Sequence, residues 1–329
     1  LMSYFASIDQ GTTSSRFIVF DEKGKVVAQH QEEFPQYLPD NVSVEHSPEE
    51  IWISVENCIN EVLKKVKKEE IQSIGITNQR ETTVAWSKSS GESLCNAIVW
   101  QDTRTQKICD DIEQKKELET EFNSTGLPIS TYFSLSKIIW MMENVEAVQT
   151  ALPKGDVCFG TVDSWLLFKL TNKFFTDVTN ASRTLMYDIN KLDWNDTILE
   201  SFNIPRSALA EVRPSLSLFG NCVGSLEGVP ITAVLGDQQA SLFGQNCIDK
   251  GGVKNTYGTG CFALTNTGNE VIQSKNGLLS TIAYQYGDNK PFYALEGSVA
   301  IAGAAVQWVR DNLGLIKESS EIESLAIDS

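Results

Sequence analysis

Apolar and polar positions alternate at the start of the chain. Residues 4–8 and 16–20 read as strands, joined by the polar stretch Asp9-Gln10-Gly11-Thr12-Thr13-Ser14-Ser15. A second turn at residues 21–24 leads into Val26-Val27-Ala28, so an antiparallel meander is expected. The period then changes. Ile51, Val55, Ile59, Val62, Leu63 and Val66 recur at helical spacing, behind the start signal Ser47-Pro48-Glu49-Glu50. Ser47 can cap this helix, Pro48 suits its first position, and Glu50 is placed to complete a capping box. Residues 74–77 and 82–86 read as strands on either side of the polar corner Asn78-Gln79-Arg80-Glu81, and residues 97–100 as a further strand. Helices are expected from Asp102, over residues 132–145, and within residues 159–170.

Residues 230–235 form an apolar run that stops at Gly236-Asp237-Gln238-Gln239. The polar, glycine-rich segment 247–252 reads as a domain boundary, giving a first domain over 1–248 and a second over 249–329. Beyond it the opening layout recurs: a strand at 253–257, the turn Gly258-Thr259-Gly260, and a strand at 261–264. A last helix is expected over residues 299–313, with Gly314 as its stop.

A length of 329 residues fits two domains at about 150 residues each. The net charge of −16 repels phosphate backbones and anionic lipid, which argues against a nucleic-acid or membrane-surface partner. Seven cysteines without a C-x-x-C pair argue against a disulfide framework or a structural zinc site, and fit a cytoplasmic protein with reduced thiols. His30 and His46 are too few for a histidine-built metal site, and no G-x-S-x-G is present. No apolar run approaches the ~18 residues of a membrane span.

Three constellations carry candidate chemistry. The tips Gly11-Thr12 and Gly258-Thr259 can aim backbone N–H groups at an anion, phosphate above all. Asp9 beside the first tip offers a hard oxygen to a divalent cation, and Arg16 on the return strand offers positive charge. Gly258-x-Gly260-x-x-Ala263 mimics a dinucleotide fingerprint, but a strand follows where that motif needs a helix. No G-x-x-x-x-G-K-[ST] is present, so a nucleotide site here is not a P-loop. Arg80 and Glu81 form the second constellation, a donor and an acceptor suited to neighbouring hydroxyls, with Trp100 and Tyr132 as apolar faces; a solvated surface pair and core aromatics are the plainer readings. Asp237 is the third. At a strand's carboxyl end it is either a general base for a hydroxyl or a helix cap, and spacing alone does not choose.

The stretches SIDQGTTSSRFIVFD (7–21), GITNQRETTVAW (75–86), NAIVWQDTR (96–104), TGLPISTYFS (125–134), DVTNASRT (177–184), GDQQASLFGQ (236–245), KNTYGTGCF (254–262) and EGSVAIAGAAVQW (296–308) closely resemble the FGGY carbohydrate kinases, of the actin-like ATPase superfamily. The corner Gln79-Arg80-Glu81 points to the branch whose acceptor is glycerol rather than xylulose or gluconate. The resemblance implies an α/β fold of the actin-like (ribonuclease H-like) kind. Two domains, each a mixed sheet flanked by helices, would enclose a cleft that holds ATP and glycerol. It implies that Arg80, Glu81, Trp100, Tyr132, Asp237, Gln238 and Phe262 bind glycerol, with Asp237 the catalytic base. It implies that Thr12, Thr13, Ser14, Arg16, Gly258, Thr259, Gly303 and Gln307 bind ATP. Mg²⁺ would be held at Asp9 and Asp237. A homo-oligomer, dimer or tetramer, is the further expectation. Chains of this family continue beyond the point matching Ser329, so the second domain is expected to be incomplete here.

Overall fold

The computed structural model describes residues 3–258, 260–299 and 301–327. Its largest sheet has six strands, in the order Leu216–Asn221, Pro230–Gly236, Ile71–Asn78, Tyr4–Gln10, Ser14–Phe20, Val26–Glu33. Tyr4–Gln10, Ile71–Asn78 and Pro230–Gly236 run parallel at its centre, and the flanking strands are antiparallel. The N-terminal meander is therefore present as expected, and the sheet is mixed.

Register explains where chemistry gathers. Gln10 and Gly236 both lie opposite Asn78, so the three parallel strands end in one row. The chain leaves that row as Gly11-Thr12-Thr13, as Gln79-Arg80-Glu81, and as Asp237-Gln238. Carboxyl ends of parallel strands are where α/β folds build ligand sites.

The sheet is closed by the helices Pro48–Leu63 and Val162–Thr171, whose apolar faces bury Ile51, Val55, Ile59, Trp165 and Leu166 against Ile8, Phe17 and Ile74. Ser47 caps the first of these through the N–H of Glu50 at 3.3 Å. The second half of the expected capping box does not form. The Glu50 carboxylate instead accepts from the Tyr37 hydroxyl at 2.9 Å, a charge-assisted bond that outcompetes a backbone N–H.

A second lobe surrounds a small antiparallel sheet ordered Glu45–His46, Ala97–Ile98, Thr83–Ser87, Val157–Thr161. It packs on Ser134–Asn144 and neighbouring helices. The strand expected at 97–100 is shorter, because Val99 and Trp100 leave the sheet and Trp100 turns toward the row of strand ends. The helix expected from Asp102 starts at Gln106. Asp102 is fully buried and accepts instead from the N–H of Val44 at 2.7 Å and of Arg104 at 2.9 Å.

The third sheet is antiparallel, ordered Val253–Tyr257, Cys261–Gly268, Phe292–Val299, Leu279–Tyr284. Its last two strands were not legible as periodic segments. Because Phe292–Val299 is a strand, the helix expected over 299–313 begins later, at Gly303, and ends at Asp311, with Gly314 at φ +62° beyond it; it is not the last, since a further helix spans Glu321–Ile327. Polar bonds seat this sheet on both lobes: Ser280 N–H to Gly126 O at 3.0 Å and Tyr293 hydroxyl to Ile189 O at 2.7 Å on the second, and Leu216 N–H to Gln285 O at 3.0 Å on the first. All seven cysteines are free thiols. No helix among the described residues is long and apolar enough to cross a membrane.

Candidate active site

Asp237 is the first residue of the helix Asp237–Gly244, directly after the strand Pro230–Gly236. Its Oδ1 accepts the N–H of Gln238 at 2.7 Å and lies 3.4 Å from Nε of Arg80. It thus borders the helix terminus while its side chain stays 39% exposed. Lost hydration outweighs the Arg80 charge and pushes the Asp237 carboxyl up to about 6. Such a carboxylate is ionised at neutral pH and basic enough to take a proton.

Arg80 and Glu81 are not a solvated surface pair. Both are buried. Arg80 donates Nη1 to Oε2 of Glu296 at 2.6 Å, Nη2 to Oε1 of Glu296 at 2.8 Å, and Nη1 also to Gln239 Oε1 at 3.1 Å. Its Nε remains between Asp237 at 3.4 Å and Glu81 at 3.7 Å. Glu81 accepts Nε of Arg183 through Oε1 at 2.6 Å, leaving Oε2 without a hydrogen-bond partner among the described residues. Glu81 holds φ +61°, a left-handed backbone uncommon for a charged residue and frequent where a functional side chain must be aimed. Its carbonyl is braced by Ser134 Oγ and by the buried ammonium of Lys137, each at 3.4 Å. Lys137 also donates to Tyr132 O at 2.6 Å, and burial pulls its pKa down to about 8.

Aromatic rings border this polar floor. Trp100 meets Tyr132 with centroids 5.9 Å apart and Phe262 at 6.3 Å, both at 78°. The rings meet edge to face, as ring quadrupoles prefer, so Trp100 and Phe262 form a corner and not a parallel slot. Nε1 of Trp100 donates to Thr12 Oγ1 at 3.0 Å, which ties the aromatic corner to the first Gly-Thr tip. Gln238 accepts from Lys254, which also donates to Thr256 and to Phe262 O. Burial, helped by Arg80, lowers the Lys254 pKa to about 8.

The first tip is a tight hairpin closed by Gly11 N–H to Ser14 O at 2.9 Å. Thr13 is exposed at its apex, and Ser14 Oγ accepts from Gln31 Nε2 at 2.8 Å. Asp9 lies in register between Arg16 and Thr77. Burial raises its pKa against the opposing pull of Arg16. Nε of Arg16 and Oγ1 of Thr77 are buried without partners, so the strip beside Asp9 carries an unused donor and an unused hydroxyl. Among the described residues no group of three or more His, Cys, Asp or Glu converges as a metal cage. On the other side, Gly258 O accepts Gly303 N–H at 2.9 Å, so the second tip abuts the start of the helix Gly303–Asp311. Gln307 is exposed on that helix. Thr259 lies outside the described residues.

Sequence reasoning missed Glu296, Arg183, Gln239 and Lys254. One signal was available. Glu296 stands alone as an acidic residue in the otherwise apolar and small run Phe292–Val299, a position that requires a buried cationic partner.

The residues 4–244 match the model of the FGGY family of carbohydrate kinases, N-terminal domain, and residues 253–328 match its C-terminal domain. The chain belongs to the FGGY family of carbohydrate kinases. Within that family it is 48% identical to a glycerol kinase of Roseiflexus sp. (strain RS-1), over 99% of this chain and 67% of the relative. It is 49% identical to a glycerol kinase of Leifsonia xyli subsp. xyli, over 99% and 66%. Among solved structures it superposes on Plasmodium falciparum glycerol kinase with ADP at a TM-score of 0.93 and 38% identity, over 100% of this chain and 67% of that one. A ligand-bound xylulose kinase of Lactobacillus acidophilus superposes at 0.88 with 21% identity, which speaks for the shared fold alone. The chain spans about two thirds of the length of these relatives.

Proposed function

We propose that the protein transfers the γ-phosphoryl group of ATP to a terminal hydroxyl of glycerol, giving sn-glycerol 3-phosphate, the first step of glycerol catabolism. The observation that carries this reading is the contact of Asp237 with Arg80 at the row of strand ends. A carboxylate of raised pKa there faces a fixed guanidinium and the partnerless oxygen of Glu81. In this reading Nε of Arg80 and Oε2 of Glu81 fix two hydroxyls, the Trp100–Tyr132–Phe262 corner covers the carbon chain, and Gln238 completes the rim. Asp237 accepts the proton of the attacking hydroxyl as its oxygen bonds to the γ-phosphorus and the bond to ADP breaks. Thr12, Thr13, Ser14, Arg16, Gly258, Thr259, Gly303 and Gln307 cradle the nucleotide, with positioning and charge supplying most of the rate.

The unpartnered Arg16 Nε and Thr77 hydroxyl beside Asp9 fit a phosphate and the water shell of a magnesium ion. Asp9, with Asp237 near the acceptor, would hold Mg²⁺, which supplies charge neutralisation on the transferring phosphoryl group. The seven unpaired cysteines support action in the reducing cytoplasm, and family likeness supports a homodimer or homotetramer.

The test is a panel of glycerol, dihydroxyacetone, erythritol and xylulose with Mg-ATP, using the protein at its natural length. Glycerol is expected to give the highest kcat/KM, with phosphate on a terminal carbon. Preference for xylulose, or ATP hydrolysis indifferent to glycerol, would contradict the reading.

A further inference from the structure

Arg80 has three nitrogens, and Glu296 takes two of them. The pair is a fork-on-fork contact at 2.6 and 2.8 Å between side chains that are buried on both sides. Bidentate guanidinium–carboxylate geometry fixes orientation as well as position. The other acceptor on the same guanidinium is the neutral Gln239. Glu81 is too far from Arg80 Nε, at 3.7 Å, to share a hydrogen bond, because its Oε1 is drawn to Arg183.

Glu296 also serves Arg183, whose Nη2 reaches Oε1 at 3.0 Å. Two buried guanidiniums thus lie around one carboxylate, with Glu81 behind Arg183. The like charge of Arg80 acts against Arg183, and Glu296 and Glu81 offset it. Removing Glu296 would leave two guanidiniums and one engaged carboxylate in a desolvated space, and unpaired buried charge is strongly unfavourable.

The origin of Glu296 matters as much as its contacts. Arg80, Glu81 and Asp237 leave the large sheet of the first lobe, whereas Glu296 sits in the third sheet, opposite Leu264 and Leu279. The orientation of Arg80 is therefore set from a different sheet, 216 positions away in the chain.

We infer that Glu296 is a positioning residue for the acceptor: by clamping Nη1 and Nη2 of Arg80 it turns Nε toward the pocket, and it ties acceptor affinity to the seating of the third sheet on the first lobe. The inference rests on the reading that Arg80 binds the acceptor hydroxyls.

The test compares Glu296→Gln, Arg80→Gln and the double variant, with glycerol as the probe at saturating ATP and the protein at its natural length. Glu296→Gln keeps the volume but presents an amide where two guanidiniums need acceptors. The expected result is a rise in glycerol KM of about tenfold or more, the scale of a lost charge-assisted bond, with ATP KM within about twofold and a smaller change in kcat. In the Arg80→Gln background the second substitution should add no further rise. Glu296→Asp keeps the charge but shortens the reach; it should fold and raise glycerol KM by less, and it carries the test if Glu296→Gln does not fold. Loss of active fraction with unchanged glycerol KM, or additive effects in the double variant, would overturn the inference. If Glu296→Gln leaves glycerol KM unchanged while Arg80→Gln raises it, the positioning role fails and the acceptor pocket stands. If Arg80→Gln leaves glycerol KM unchanged, both fail.

Discussion

Oδ1 of Asp237 lies 3.4 Å from Nε of Arg80, so the residue proposed to take the proton touches the residue proposed to hold the acceptor. Two chain segments far apart in sequence meet there because Gly236 and Asn78 are register partners in adjacent parallel strands. The contact sets both geometry and charge, since Arg80, ahead of the Gln238 N–H, is the main group that opposes the burial-driven rise in the Asp237 pKa.

A pH dependence follows. The Asp237 carboxyl sits at about 6, above its ordinary 3.8, chiefly through lost hydration. The base is its ionised form, so activity should fall as pH drops. A plot of log kcat/KM for glycerol against pH should show an acidic limb with its midpoint near 6, absent in Asp237→Asn. Activity flat down to pH 5 would count against the assignment.

The same shift makes a stability prediction of opposite sense. A carboxyl raised in the folded state is less easily ionised there than in the unfolded chain, so its ionisation disfavours the fold above pH 6. Asp237→Asn should therefore melt at the same temperature or higher at pH 8, while losing activity. A clear drop in Tm would show that the charge is a structural necessity.

Glu296 titrates the other way. Burial works against its ionisation, but Arg183 and Arg80 hold its carboxyl down at about 2, below the ordinary 4.5. Its stabilising contribution is complete above pH 4.5 and disappears as pH falls from 4.5 toward 2. Denaturant titrations across that window should show a steeper loss of stability in the unaltered protein than in Glu296→Gln.

Gly236 has no room for a methyl group. A Cβ there would stand 2.8 Å from Cδ of Arg80 and 2.9 Å from Oε1 of Gln239. Arg80 is pinned by Glu296 and cannot retreat cheaply. Gly236→Ala should raise glycerol KM by about tenfold, a displacement on the scale of a lost hydrogen bond to a charged group, with ATP KM little changed. Steady-state kinetics in both substrates reads this directly.

Trp100→Phe keeps a ring in the aromatic corner but removes the donor to Thr12 Oγ1. Loss of one such bond is worth about 1 kcal/mol, or roughly fivefold in an equilibrium. The change should appear as a several-fold rise in ATP KM with a smaller effect on glycerol KM. The reverse pattern would mean that the first tip does not touch the nucleotide.

Much of this was legible in the residues. The meander, the helix opened by Ser47-Pro48 and the strand ending just before Asp237 follow from period and punctuation alone. The three constellations also stood out, because polar residues at the ends of apolar strands are unusual enough to question. What failed was anything set by distant partners. Glu50 was diverted to Tyr37, 13 positions away, and Asp102 to Val44, 58 positions away, contacts that no local pattern encodes. Arg80-Glu81 reads locally as a self-contained ion pair, yet each is claimed by a residue more than 100 positions away, Glu296 and Arg183. The edge-to-face aromatic corner likewise depends on three segments packing together.

The most direct test of the account is the turnover of Asp237→Asn with glycerol and Mg-ATP, alongside the unaltered protein. With the geometry kept and the base removed, kcat should fall about 100-fold or more while glycerol KM stays within a few-fold, as expected for a proton acceptor that acts in the transition state. Near-normal turnover, or a loss confined to glycerol KM, would contradict the claim that Asp237 takes the hydroxyl proton.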